Sequence, residues 1–168
     1  MWDAPTLAQF ARHYQTNEPI PAELVQRMTR AAGFGRGLTV RRLLAQAQFN
    51  LAAFDRDPAA VNTDALVKAA HEKYLPFPFV EDTHFQATFT HMTWYGATYY
   101  TYLWSEVIAK DLFSQFNVAN LLDARTASRY RDTVLAPGSS LPAEKLVSNF
   151  LGRPYNFKAW QKWLDNEH

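Results

Sequence analysis

The sequence contains no cysteine among its 168 residues, which excludes disulfide bonds and thiolate zinc sites. No apolar run approaches the roughly eighteen residues of a membrane-spanning helix. The first ten residues, MWDAPTLAQF, lack the basic and apolar regions of a signal peptide. The formal net charge is only +1, so no global field favours nucleic acid or acidic membranes. We therefore expect a cytoplasmic protein without nucleic-acid or membrane partners.

Helical periodicity is what the sequence does contain. Apolar residues recur at helical spacing through most of the chain, and proline and glycine separate the segments. The predicted helices cover residues 3–14, 21–35, 38–57, 63–75, 96–117, 123–136, 141–152 and 156–164. Residues 76–89 carry two prolines and no clean period, which predicts an extended loop. We predict an all-α fold over residues 1–168, a single compact multi-helix bundle with one long loop before a Tyr-rich helix.

Familiar catalytic motifs are incomplete in this sequence. A zinc-protease helix needs H-E-x-x-H, because ligands four residues apart share one helix face. His71 and Glu72 are present, but Leu75 occupies the second ligand position, which favours an exposed pair at a helix end. The segment GFGRGLTVRR lacks the Gly-Lys-Ser/Thr of a phosphate-binding loop, and no serine stands in a G-x-S-x-G elbow. We predict no metal site within this chain.

A group of arginines is the one feature typical of nucleic-acid binding. Its members stand in a stretch without acids, with Phe34 among them: Arg27, Arg30, Arg36, Arg41 and Arg42. Phosphate binding requires clustered positive charge, but no recognised motif accompanies this group. A solvated face, or pairing with carboxylates elsewhere, is the favoured interpretation.

The stretch HMTWYGATYYTYLWSE, residues 91–106, is unusually rich in tyrosine. Helical spacing from Gly96 onward predicts one face that carries Tyr95, Tyr99, Tyr102 and Glu106. Hydroxyls are poor core, because each buried hydroxyl needs a partner. With His91 just upstream, such a row suits binding of a peptide backbone or a developing oxyanion. Gly96 would allow the loop to flex or to approach a ligand closely. An aromatic core with satisfied hydroxyls is the alternative.

The segment FTHMTWYGATYYTYLWSEVIAKDLFSQF resembles the C-terminal region of the thimet oligopeptidase and oligopeptidase F family of zinc metallopeptidases. The signature there is a Phe-x-His, a short Gly-containing loop and a Tyr-rich helix. The matching residues are Phe89, His91, Tyr95, Ala97, Tyr99, Tyr100, Tyr102 and Leu103. The segments FARHYQTNEPIPAELV and RYRDTVLAPGSSLPAEKLVSNFLGRP resemble flanking parts of the family, so the resemblance covers most of the chain. The MTW loop is shorter than in many relatives, and PGSS lacks a common second glycine.

The resemblance implies roles for individual residues. Tyr102 would stabilise the oxyanion of the tetrahedral intermediate, and His91, Tyr95 and Tyr99 would hydrogen-bond the substrate backbone beside Gly96. It also implies zinc in the complete enzyme, bound by an H-E-x-x-H helix and a downstream glutamate that this chain lacks. We therefore expect a C-terminal oligopeptidase fragment, silent alone, that acts on short peptides.

Such a fragment would work with an upstream zinc-bearing segment or chain, and self-association would cover apolar surface left exposed. Two further hypotheses stay open. The first is a non-enzymatic peptide- or protein-binding helical module that uses the tyrosine face. The second is a nucleic-acid binder that uses the arginine group, with affinity falling steeply as salt rises.

Overall fold

The computed structural model describes residues 2–165. The α-helices among them are Ala4–Leu7 (α1), Ala22–Gly33 (α2), Arg36–Phe54 (α3), Thr63–Tyr74 (α4), His91–Trp94 (α5), Thr101–Phe113 (α6), Ala124–Tyr130 (α7), Ala143–Leu151 (α8) and Lys158–Asp165 (α9). Short 3-10 turns cover Pro58–Ala60, Phe85–Thr88 and Gly138–Ser140, and Arg131–Leu135 is a π-helical turn after α7. No strand occurs in this part of the chain, only an isolated bridge between Arg12 and Pro19. The all-α prediction is confirmed.

Side-chain caps fix several helix starts. Asp3 accepts the Thr6 N–H at 2.9 Å, and Asp123 accepts the Thr126 N–H at 2.9 Å, so each caps the helix that follows it. The start of α4 is capped in the same way, by the residue that precedes the helix. Asn62, rather than Thr63, accepts the Ala65 N–H at 3.0 Å.

The first predicted helix is much shorter than residues 3–14. After α1 the backbone turns, and the His13 N–H donates to the Glu18 carbonyl at 2.8 Å. Phe10 and Tyr14 are 67% and 86% exposed, so the apolar spacing there is not matched by burial. Helical spacing without a packed face does not sustain a helix of this length.

The chain divides into two compact units, and the division falls within α6 between Glu106 and Val107. One unit consists of residues 35–106. Its core is formed where α3 packs on α4, by Ala45, Phe49, Val67, Ala70 and Phe89. The predicted loop follows α4 and contains the 3-10 turn at its end. All five predicted site residues lie in this unit.

The buried face of α3 does not consist of its leucines. Leu38, Leu44, Leu51 and Phe54 are each 37–46% exposed, whereas the helix buries Phe49 and the smaller residues around it. Apolar residues surround α3 on nearly every side, so spacing alone does not select the buried face.

The other unit consists of residues 2–34 and 107–165. Its buried apolar residues are Leu112 on α6 and Val147, Phe150 and Leu151 on α8. The prediction of a single domain over residues 1–168 stays a prediction. No helix within residues 2–165 has the length and apolarity that crossing a bilayer requires.

Candidate functional site

The tyrosine-rich helix begins later than predicted. Helix α6 begins at Thr101, and residues 95–100 form turns. Ala97 has a φ of +57°, in the left-handed region that an α-helix does not use. The prediction of a helix from Gly96, with Tyr95 and Tyr99 on its face, was therefore wrong. Of the predicted tyrosines only Tyr102 stands on the helix, in its first turn.

His91 nevertheless brings the three tyrosines together. The single turn of α5 begins at His91, and the Tyr95 N–H donates to the His91 carbonyl at 3.3 Å. The imidazole ring lies 5.6 Å from the Tyr95 ring, 4.7 Å from the Tyr99 ring and 5.7 Å from the Tyr102 ring, between centroids. The His91 Nε2 atom lies 3.1 Å from the Tyr102 hydroxyl oxygen. We call these four residues the tyrosine cluster.

Phe89 supports the cluster from below. Its buried ring stacks on His91 with a centroid distance of 5.1 Å, and it contacts Tyr99 at 4.9 Å. Offset ring contacts of this kind stabilise a fixed arrangement beyond the area that they bury. The Phe-x-His pattern therefore serves packing at its first residue and the cluster at its second.

Helix α3 fixes Tyr99 through two hydrogen bonds. The Tyr99 N–H donates to the Asn50 side-chain oxygen at 3.0 Å, and the Tyr99 hydroxyl donates to Gln46 Oε1 at 2.7 Å. Burial raises the pKa of Tyr99, and Tyr102 raises it further, whereas the positive charge of Arg42 lowers it. Tyr99 therefore stays protonated at neutral pH, and its hydroxyl proton is already donated.

Tyr95 and Tyr102 remain open to solvent. Tyr102 is 55% exposed and Tyr95 is 63% exposed, while His91 and Tyr99 are half-buried. The cluster thus has a packed side, formed by Phe89 and α3, and a wet side that presents two hydroxyls. Tyr95 and Tyr102 are therefore the members of the cluster that are most accessible to solvent.

Gly96 lies against the ring of Phe54. A Cβ atom built on Gly96 would stand 2.8 Å from Phe54 Cε1 and 2.9 Å from its Cζ, closer than real Cβ contacts. The close approach that the sequence predicted for Gly96 is therefore made to a side chain of α3. Its role in binding substrate stays a prediction.

The described histidines do not form a metal site. Within residues 2–165 there is no group of three or more His, Asp or Glu side chains that could hold a metal ion. The ring nitrogens pair instead with single neighbours: His71 with the Phe77 carbonyl at 2.9 Å, and His84 with Asp64 at 2.8 Å. These residues do not fit zinc, so no chemical step is assigned to a metal here.

Sequence reasoning missed Gln46 and Asn50. Both are polar residues on a largely apolar helix, and Asn50 is fully buried. A polar residue within a buried stretch was the available signal, because buried amides need partners. Their partner, Tyr99, stands about fifty positions away in the chain, so the signal did not identify the contact.

Comparison with known proteins gives a consistent result. The sequence matches peptidase family M3 over residues 1–165. The mitochondrial intermediate peptidase of Pongo abelii is 29% identical over 149 residues, which cover 89% of this chain and 21% of that protein. Oligopeptidase A of Escherichia coli (strain K12) is 31% identical over 157 residues, covering 90% of this chain and 23% of that protein. The chain thus spans about a fifth of the length of the curated relatives that it matches. Together with the tyrosine cluster, this match over nearly the whole sequence establishes that the chain belongs to peptidase family M3.

Proposed function

We propose that the tyrosine cluster is the peptide-binding and oxyanion-stabilising wall of a peptidase active site. Tyr102 would donate a hydrogen bond to the oxyanion that forms when a peptide carbonyl is attacked, and His91 would assist it. The observation that carries this proposal is the 3.1 Å contact between His91 Nε2 and the hydroxyl of a Tyr102 that is more than half exposed. Membership of peptidase family M3 supports peptides as the substrate.

The direction of the His91–Tyr102 hydrogen bond decides whether Tyr102 serves as a donor. A hydroxyl has one proton, so a Tyr102 that donates to His91 cannot donate to a substrate. If His91 carries its proton on Nε2, it donates to the Tyr102 oxygen, and the Tyr102 proton turns toward the ligand. We propose this second arrangement, since successive hydrogen bonds polarise one another and strengthen the final donor.

The other residues would border the peptide. Tyr95 presents an exposed hydroxyl that donates to, or accepts from, the substrate backbone. The Tyr99 proton is held by Gln46, so Tyr99 would accept a peptide N–H through its oxygen rather than donate. Gly96 has no side chain, so the backbone of the turn would lie close to the bound peptide.

The metal would be bound by residues outside this chain. The family resemblance implies zinc, which when bound supplies the activated water that attacks the peptide carbonyl. We propose that the zinc ligands belong to a preceding segment or a separate chain, and that the cytoplasm is the compartment. A donor such as Tyr102 contributes about 2.7–4 kcal/mol to catalysis, too little to replace a metal-bound nucleophile.

The substitution Tyr102→Phe tests the oxyanion role. In the peptidase that contains these residues together with its zinc ligands, kcat should fall by roughly 10²–10³-fold, with little change in KM. Tyr100→Phe is the matched control. Tyr100 directly precedes α6 and is also partly exposed, but it is not a member of the tyrosine cluster. Equal turnover of the wild type and Tyr102→Phe would refute the role.

Zinc content and cleavage of a quenched fluorescent peptide test the chain alone. With zinc supplied, we expect neither stoichiometric zinc nor cleavage. Zinc-dependent cleavage by the isolated chain would contradict the proposed division of the site. A different outcome would support the non-enzymatic binding module. In that outcome the isolated chain binds peptide, Tyr95→Phe abolishes this binding, and the same substitution leaves turnover of the complete peptidase unchanged.

A further inference from the structure

An open cavity of about 420 Å³ lies within residues 35–106, between α3, α4 and the loop that follows α4. Its walls are largely apolar and include Phe49, Val67, Leu75, Phe79, Val80 and Phe85. This volume falls in the range of small-molecule sites, about 300–1,000 Å³, which are also lined mainly by apolar side chains. We call it the α3–α4 pocket.

Four polar side chains border the α3–α4 pocket, and two of them are engaged locally. His71 Nε2 is paired with the Phe77 carbonyl at 2.9 Å, and the Thr83 hydroxyl donates to the Val80 carbonyl at 2.7 Å. These two groups close the loop on itself and leave little hydrogen-bonding capacity for a ligand.

Arg42 and Gln46 are the other two polar groups. They stand four positions apart on α3, and so on one face of that helix. Within residues 2–165 the Arg42 guanidinium makes no hydrogen bond or ion pair, although its charge is felt by Tyr99. Gln46 accepts from Tyr99 through Oε1, which leaves its amide N–H groups as donors. The pocket therefore has apolar walls and an edge that offers only donors, one of them positively charged.

We infer that the α3–α4 pocket binds an apolar group that carries a carboxylate. The apolar part would fill the space between the phenylalanine rings, and the carboxylate would accept from the Arg42 fork and the Gln46 amide. Arginine matches a carboxylate with two parallel hydrogen bonds, which adds geometric specificity to the attraction. A cationic ligand would be repelled, and a neutral amide would accept hydrogen bonds without matching the charge of Arg42.

Two sources share this chemistry: the C-terminal residue of a peptide, and a free apolar carboxylic acid. The pocket adjoins the tyrosine cluster, because Phe85 contacts Phe89 at 4.9 Å and Phe89 contacts His91 at 5.1 Å. Gln46 belongs to both, since it borders the pocket and holds Tyr99. The inference itself does not depend on the peptidase role, because it rests on the pocket walls and its two donors alone.

The test uses 3-phenylpropionate and its neutral amide, 3-phenylpropionamide, on the full chain. Binding is followed through the methyl NMR signals of Ala45, Val67 and Ala70, which line the pocket, with Val147 of the other unit as the reference. We expect the pocket signals alone to shift, and the acid to bind roughly threefold to tenfold more tightly than the amide. Equal affinities, or no shift of the pocket signals, would overturn the inference.

Variants of Arg42 separate charge from shape. Arg42 is exposed, so its substitution should not disturb folding. Arg42→Gln should remove the preference for the acid, and Arg42→Lys should retain part of it, because lysine keeps the charge but loses the fork. Arg27→Gln, an exposed charge on α2, is the matched control and should leave the preference intact. A preference that survives Arg42→Gln would refute the assignment.

The peptide acetyl-Ala-Ala-Phe, as free acid and as C-terminal amide, separates the two sources. Tighter binding of this free acid than of 3-phenylpropionate, with loss in the amide, would support a peptide C-terminus as the ligand. Binding of 3-phenylpropionate without binding of the peptide acid would support a free carboxylic acid.

Discussion

Removal of the Asp111 carboxylate should destabilise the unit formed by residues 2–34 and 107–165. Asp111 on α6 is 1% exposed, yet it carries a charge. It accepts from both terminal nitrogens of Arg153, at 2.7 and 2.6 Å, and from the Asn156 N–H at 2.8 Å. This one side chain thus attaches the segment after α8 to α6.

The size of the effect follows from which partner stays buried. Breaking a fully buried ion pair costs about 3–5 kcal/mol, because the remaining charge is left uncompensated. The Arg153 side chain is 39% exposed, so water would solvate its guanidinium after the change. Asn has the same shape and keeps one accepting oxygen. We therefore expect Asp111→Asn to lower the free energy of unfolding by about 2–3 kcal/mol.

The effect should depend on pH. Hydrogen bonds from Arg153 hold the pKa of Asp111 below its ordinary value, assisted by the Asn156 N–H and opposed by burial. A carboxylate with a lowered folded-state pKa adds stability above its unfolded pKa, about 3.9, and that stability is lost as pH falls through the folded pKa. The gap between the wild type and Asp111→Asn should therefore be full at pH 7 and shrink below pH 4 or so.

Thermal unfolding followed by circular dichroism measures this difference. A loss of 2–3 kcal/mol corresponds to a fall in Tm of roughly 5–10 °C for a chain of this size. Asp132→Asn is the matched control, because Asp132 pairs with Arg131 at 2.7 Å on the exposed surface, where such pairs contribute little. The reasoning fails if Asp111→Asn and Asp132→Asn have the same Tm at pH 7. It also fails if the difference in stability between the wild type and Asp111→Asn is the same at pH 3 as at pH 7.

Two further substitutions test the support of the tyrosine cluster. Gly96→Ala should cost about 1 kcal/mol by crowding the Phe54 ring, which is 46% exposed and therefore able to turn aside. In a double-mutant cycle measured by urea unfolding, the same change in a Phe54→Ala background should cost almost nothing, and an undiminished cost would contradict the contact. Asn50→Ala should cost about 1–3 kcal/mol, because the Tyr99 N–H would lose its acceptor. Amide hydrogen exchange at Tyr99 should then accelerate, and unchanged protection would show that this hydrogen bond does not hold the turn.

Local signals in the sequence predicted much of the fold. The existence of the helices followed from apolar spacing and from the residues that end helices. Examples are Pro58 after α3 and Gly152 after α8, where Gly152 adopts a φ of +71°. The Asp123 cap was readable because the residue and its partner lie three positions apart. Such contacts need no knowledge of tertiary structure.

Long-range contacts account for what the sequence did not predict. The buried side of α3 depends on what packs against it, and α4 and Phe89 select Ala45 and Phe49 over Leu44 and Leu51. Apolar residues occur on several sides of α3, so their spacing alone does not decide that choice. His91, Tyr95, Tyr99 and Tyr102 do lie together, as the sequence indicated. They do not share the helical face that the spacing predicted, because α6 begins only at Thr101.

The hydrogen bond that the Tyr99 N–H donates to Asn50 explains how the tyrosine cluster forms. In a helix that began at Gly96, the Tyr99 N–H would donate to the carbonyl of Tyr95, four residues earlier. Here that N–H is taken by Asn50, while Ala97 adopts a left-handed φ and redirects the chain, so Tyr99 faces His91 before α6 begins. Asn50, which lies on α3 and is fully buried, therefore fixes the turn that precedes α6. The geometry of the candidate site is consequently set by α3 as much as by the tyrosine-rich segment itself.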